Sequence, residues 1–299
     1  MIVRDPPNHF RLFFIMQGSI VPRIAPLIGV VAIFSLCVLL VDRHLLPLPH
    51  VSFTATGIFG LALSLFLGFR NNAAYERWWE ARRLWGQLIA DMRSLGRETD
   101  LFVEDLDTRQ QLIRHALFFI HLHRISLRNI GTQGAPRKWA PPGAPEKNLP
   151  ETPCEALNAA TRLLREAARA GHLDGFGRKA LSERLAAISL AQAGCERIRN
   201  TPLPFVYSLL VLRTSWLYCL AVPFALIDSA GPLAPLFAAV IAYVFFGLAA
   251  VTEELEHPFA AAPNALPLDA MCRTVEIALM PRLGEEPPGP LQASNGLLT

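Results

Sequence analysis

The stretch VSFTATGIFGLALSLFLGF at 51–69 contains no charged residue, and RNNAAYERWWEARRLWG at 70–86 follows it without a proline. About 20 apolar residues of helix span a bilayer core, so the first part is long enough to cross. Residues 70–95 also lack proline, which predicts that the same helix runs on from lipid into water.

Three further apolar runs fit this reading. Ile24–Val41 and Pro232–Val251 are free of charge, and Pro202–Ile227 is interrupted only by Arg213. The spacers are short, with Asp42-Arg43-His44 and Pro47-Leu48-Pro49 in one and Asp228-Ser229-Ala230-Gly231 in the other. The pattern predicts four membrane helices paired as two hairpins. Composition agrees, at 52% hydrophobic and 18% charged residues, where a soluble chain carries about a quarter charged. A net charge of +3 gives no cause to expect a nucleic-acid partner.

Of the 28 basic residues, 21 lie between Arg70 and Arg199, and Arg4, Arg11 and Arg23 precede the first run. The positive-inside tendency then puts both termini and the long middle segment in the cytoplasm. The first apolar run begins too late for a cleaved signal peptide, and residues 9–20 read as an amphipathic interfacial segment. Apolar spacing predicts cytosolic helices over Leu101–Leu127, Pro153–Ala170 and Lys179–Arg199, with a break at 131–153. The expected class is an all-α membrane protein. Its segments are 1–23 (interfacial), 24–69 (first hairpin), 70–200 (cytosolic helices), 201–251 (second hairpin), 252–280 (cytosolic helix) and 281–299 (extended tail).

Catalytic motifs are absent: no Gly-rich phosphate loop, no G-x-S-x-G and no H-E-x-x-H. No catalytic residue, cofactor or metal is expected. Cys37, Cys154, Cys195, Cys219 and Cys272 have no metal or disulfide spacing and read as small buried apolar residues. His121 and His123 fall about 200° apart on a helix and cannot easily share a metal. Glu254 and His257 have the spacing used by di-metal bundles, but a second such motif is missing. With Glu253 and Glu256 they read more simply as an acidic cap on the fourth membrane helix. A metalloenzyme built on these four residues and a non-conducting scaffold built on 70–200 are the rival readings.

Leu61, Leu65 and Phe69 recur every fourth residue and share one helix face. Gly57, Gly60 and Gly68, with Thr54, Thr56 and Ser64, would let helices approach closely. Read alone, the stripe is more simply a packing face. In a ring of subunits it would form a constriction that gates by dewetting.

The stretch G-F-R-N-N-A-A-Y-E-R-W-W-E-A-R-R-L-W-G at 68–86 resembles the signature of the bestrophin family of ion channels. Its residues include Arg70, Asn71, Asn72, Tyr75, Arg77, Trp78 and Glu80. Cys195–Ile198 leading to Thr201–Phe205, the block Glu253–Phe259 and the block Asn264–Asp269 agree in order. The resemblance implies a homopentameric channel in the bacterial inner membrane. Its partners would be further copies of the chain, the lipid bilayer and small monovalent ions. It implies that Leu61, Leu65 and Phe69 form the neck of the pore, and that Leu173 or Phe176 supplies a second cytosolic aperture. The bacterial branch leans toward cations. Calcium-activated relatives carry an acidic cluster after the Pro-Phe pair. Ala260-Ala261-Ala262-Pro263 follow it here and offer no side-chain oxygen.

Overall fold

The computed structural model describes residues 1–2, 15–129, 137–140 and 149–299. Residues 9–14 of the expected interfacial segment and most of the expected break at 131–153 lie outside them. The described chain is α-helical, with two isolated bridges, Ile2 to Leu297 and Ser294 to Leu297, and no strand. Its α-helices are α1 (Val21–His44), α2 (Phe53–Phe102), α3 (Leu106–Arg128), α4 (Pro153–Arg169), α5 (Gly175–Asn200), α6 (Phe205–Ala230), α7 (Ala234–Glu256) and α8 (Leu268–Leu279).

Among the described residues three helical stretches are long and apolar enough to cross a membrane: Val21–His44, Phe53–Phe102 and Phe205–Glu256. The third contains α6 and α7, joined by a 3-10 turn at Gly231–Leu233. The sequence reading put this turn at 228–231. Instead α6 continues to Ala230, and Gly231 closes it at φ +52°, a conformation that suits a residue without Cβ.

The chain divides into two compact units. One takes in Met1–Val3, Trp79–Thr201 and Pro258–Thr299, the other Arg4–Trp78 and Pro202–His257. In the second, α7 packs chiefly on α1 and α6. Ala234, Ala238 and Ala242 are buried one turn apart, which lets backbones approach where no hydrophobic drive exists. Tyr218 of α6 lies edge-on to Phe59 (5.7 Å) and Phe245 (5.0 Å). A Cβ on Gly60 would collide with the Tyr218 hydroxyl, so glycine suits the close approach there. Gly57 and Gly68 meet nothing within 4 Å, so within one chain only Gly60 serves the close approach expected of all three.

In the other unit α3 is buried along most of its length, by Leu112, Leu117, Phe119 and Ile120 among others. The expected helix over Leu101–Leu127 is broken in two. Val103 and Glu104 leave α2, and the Asp105 carboxylate caps α3 by accepting from the Thr108 amide at 2.8 Å. A reciprocal Thr152–Glu155 capping box starts α4, with Pro153 in its first turn. Three of the five cysteines are buried as expected, but Cys37 and Cys154 are exposed.

Candidate functional site: the exposed stripe of helix α2 and its anchor

Without proline, α2 runs unbroken for 50 residues, about 75 Å of helix. Its first half buries one narrow stripe, Thr56, Gly60, Leu63, Leu67, Arg70 and Ala74, at alternating three- and four-residue steps. Leu61, Leu65 and Phe69 lie off that stripe and are 72%, 60% and 62% exposed. The Ser64 hydroxyl between them donates to the Leu61 carbonyl at 2.8 Å, so the stripe's one hydroxyl is satisfied within the helix.

Directly below Phe69, Arg70 turns inward. Its guanidinium donates to Glu256 Oε1 of α7 at 3.1 Å and to Ser208 Oγ of α6 at 3.0 Å. Both members of the pair are more than nine-tenths buried. Two turns on, Arg77 Nε donates to the Glu256 carbonyl at 2.9 Å, satisfying an orphan acceptor at the α7 C-terminus. Thr252 Oγ1 reaches Asn71 Oδ1 at 3.5 Å. Arg70, Asn71 and Arg77 thus grip the last turn of α7. Glu80 pairs with Arg197 at 2.5 Å, whereas Asn72 and Tyr75 are exposed. Trp78 is half-buried.

Sequence reasoning missed the Arg70–Glu256 pair. Glu253, Glu254 and Glu256, in the last turn of α7, read as a simple cap, yet carboxylates oppose the dipole at a helix C-terminus and need cations close by. Glu253 is held the same way, by Arg23 at 2.7 Å. Among the described residues no group of three or more His, Cys, Asp or Glu side chains could hold a metal ion.

The two aperture candidates part company. Leu173 is 5% exposed, packed where a Cβ on Gly177 would touch it, while Phe176 is 81% exposed. His121 Nε2 pairs with the buried Glu276 carboxylate at 2.8 Å. His123 is fully buried. It stacks against Trp85 and Phe119, both ring nitrogens lack a partner, and burial pushes its pKa down to about 3.

Apolar helices of spanning length, one of them extended far beyond a bilayer's width, define an α-helical membrane protein. The chain belongs to the bacterial and fungal bestrophin family, whose model matches residues 1–281. It is 45% identical to a voltage-dependent anion channel-forming protein of Mesorhizobium japonicum, over 98% of this chain and 96% of that one. A protein of the same description from Salmonella typhi is 36% identical, over 94% and 93%. A crystal structure of a bacterial bestrophin homologue from Klebsiella pneumoniae superposes with a TM-score of 0.80 at 29% identity, covering 87% of this chain and 98% of that one.

Proposed function

We propose that this protein is a homopentameric channel that passes small monovalent ions through a hydrophobic neck made by Leu61, Leu65 and Phe69. The observation that carries the reading is the exposed apolar stripe on α2, left uncovered while the opposite stripe is buried. Five copies would turn these faces inward, and an apolar constriction dewets when it narrows. The family and the names of the relatives support a channel and not an enzyme.

In this reading residues 24–69 and 201–251 form four membrane helices of the inner membrane. Segments 1–23, 70–200, 252–280 and 281–299 face the cytoplasm. Phe176, being exposed, is the better candidate for the second aperture. The sign of the ion divides the support. The relatives' names speak for anions, the bacterial-branch resemblance speaks for cations, and the neck carries no charge of its own.

The test is ion flux in proteoliposomes holding intact pentamers. Leu65→Ala, or alanine at all three neck positions, is expected to raise conductance or open probability. Unchanged single-channel currents would return the stripe to mere packing, and no flux from wild-type pentamers would favour a scaffold.

A further inference from the structure

Helical periodicity carries the neck face past the membrane. At 100° per residue Asn72 and Glu76 fall within about 20° of Leu65, and Arg83, five turns on, repeats its angle. All three are exposed. The stripe therefore runs on as a polar face, and its free charges face whatever lies beyond the neck.

Every other acidic residue on this part of α2 is neutralised inside the chain, whereas Arg82, Arg83, Arg93 and Arg97 have no ion pair among the described residues. Arg70 is buried against Glu256, Glu80 pairs with Arg197, Asp91 and Glu98 share Arg184, and Asp100 pairs with Arg282. Glu76 differs. Among the described residues its carboxylate has no ion pair or hydrogen bond, and its neighbours three and four residues away are Asn72, Ala73, Trp79 and Glu80, none of them basic.

We propose that Glu76 sets the sign of the permeating ion: five carboxylates, one from each subunit, ring the pore just below the neck and favour cations over anions. The proposal rests on the pentameric channel reading. Arg83 and Arg97 lie on or near the same face and act against it, so distance decides. Glu76 stands about 10 Å below Phe69 along the helix, Arg83 about 21 Å and Arg97 about 42 Å. With a Debye length of about 8 Å at physiological salt, the potential of Arg83 at the neck is roughly an eighth of that of Glu76, and that of Arg97 is negligible. The nearer carboxylate wins.

The experiment has two arms. In planar bilayers under a sodium chloride gradient, wild-type pentamers should reverse toward the sodium equilibrium potential. Glu76→Gln should lower the sodium-to-chloride permeability ratio by about tenfold, Glu76→Lys should invert it, and Arg83→Gln should move it less than twofold. A ratio unchanged by both Glu76 substitutions, or a wild-type reversal toward chloride, overturns the proposal. The second arm needs no current. In a Cys37→Ser, Cys154→Ser background, Asn72→Cys is modified with a cationic and an anionic methanethiosulfonate. The cationic reagent should react faster, and Glu76→Lys should reverse that order. Reagent preference without current would sink the conduction reading and leave the ring standing; current without reagent preference would sink the ring alone.

Discussion

The two halves of α2 expose opposite kinds of surface. From Phe53 to Phe69 the helix shows Ile58, Phe59, Leu61, Leu65, Phe66 and Phe69 to its surroundings. From Asn72 to Asp100 it shows Asn72, Glu76, Arg82, Arg83, Arg93 and Arg97, with Tyr75 and Trp79 as exposed aromatics in its first turns. The buried stripe does not change in kind, since Leu63, Leu67, Ala74, Ala81, Trp85, Leu88 and Leu95 continue at the same spacing. A helix's inward face reports the protein, and its outward face reports the solvent. The surroundings of α2 change close to Arg70, about two turns before the two units divide at Trp78 and Trp79.

Polar groups in the two units follow the same logic. The membrane-type unit buries one full ion pair, Arg70–Glu256, among apolar side chains. Removing one member leaves an uncompensated charge there, at about 3–5 kcal/mol. Arg70→Ala should therefore cost more stability than any exposed-pair change, read by thermal denaturation in detergent. The double replacement Arg70→Met with Glu256→Leu should recover much of it; no recovery would mean the pair does more than neutralise itself.

The other unit buries three imidazoles, of which His115 and His123 have no ion pair among the described residues. Burial, with the charge of Arg162 second, lowers the His115 pKa to about 4, and burial lowers that of His123 to about 3. Folded, both stay neutral below pH 6.5, while the unfolded chain protonates them near 6.5. Stability is then complete above about pH 6.5 and falls as pH drops toward 4, by on the order of 3 kcal/mol for each. Hydrogen exchange at pH 7, 6 and 5 should show this unit loosening first, and His123→Phe should flatten the slope. A slope unaltered by that change would exclude His123 as a source.

The smallest effect separates two glycines. Gly60→Ala drives a methyl into the Tyr218 ring and should cost about 1–3 kcal/mol. Gly57→Ala meets nothing within the chain and should gain up to about 1 kcal/mol of helix propensity. If melts instead show Gly57→Ala to be the costlier change, Gly57 packs against a neighbouring copy.

Much of this was legible in the sequence. Uncharged runs locate α1, α6, α7 and the start of α2, because long apolar helices announce themselves by composition. The proline-free 70–95 announces the continuation of α2. The break at Val103–Asp105 was hidden because Leu101 and Leu106 keep helical spacing across it, although Asp105 with Thr108 is a cap signal that was there to find. Arg70–Glu256 was not legible. Its members stand 186 residues apart, and no local pattern encodes which arginine a distant carboxylate meets. The same holds for Leu173 and Phe176, three residues apart in sequence and opposite in exposure.

Neither unit is built from one continuous piece of chain, and this imposes an order on biosynthesis. Arg128 meets Asp269 across 141 residues, a span that includes both α6 and α7. At ribosomal rates of about 5–20 residues per second, that partner emerges roughly 7–28 s after Arg128 does. The second apolar hairpin has to leave the ribosome before Asp269 and Glu276 exist to close the unit around α3. For that interval Arg124, Arg128 and His121 lack Asp269 and Glu276, and the part of the chain around α3 waits on α6 and α7.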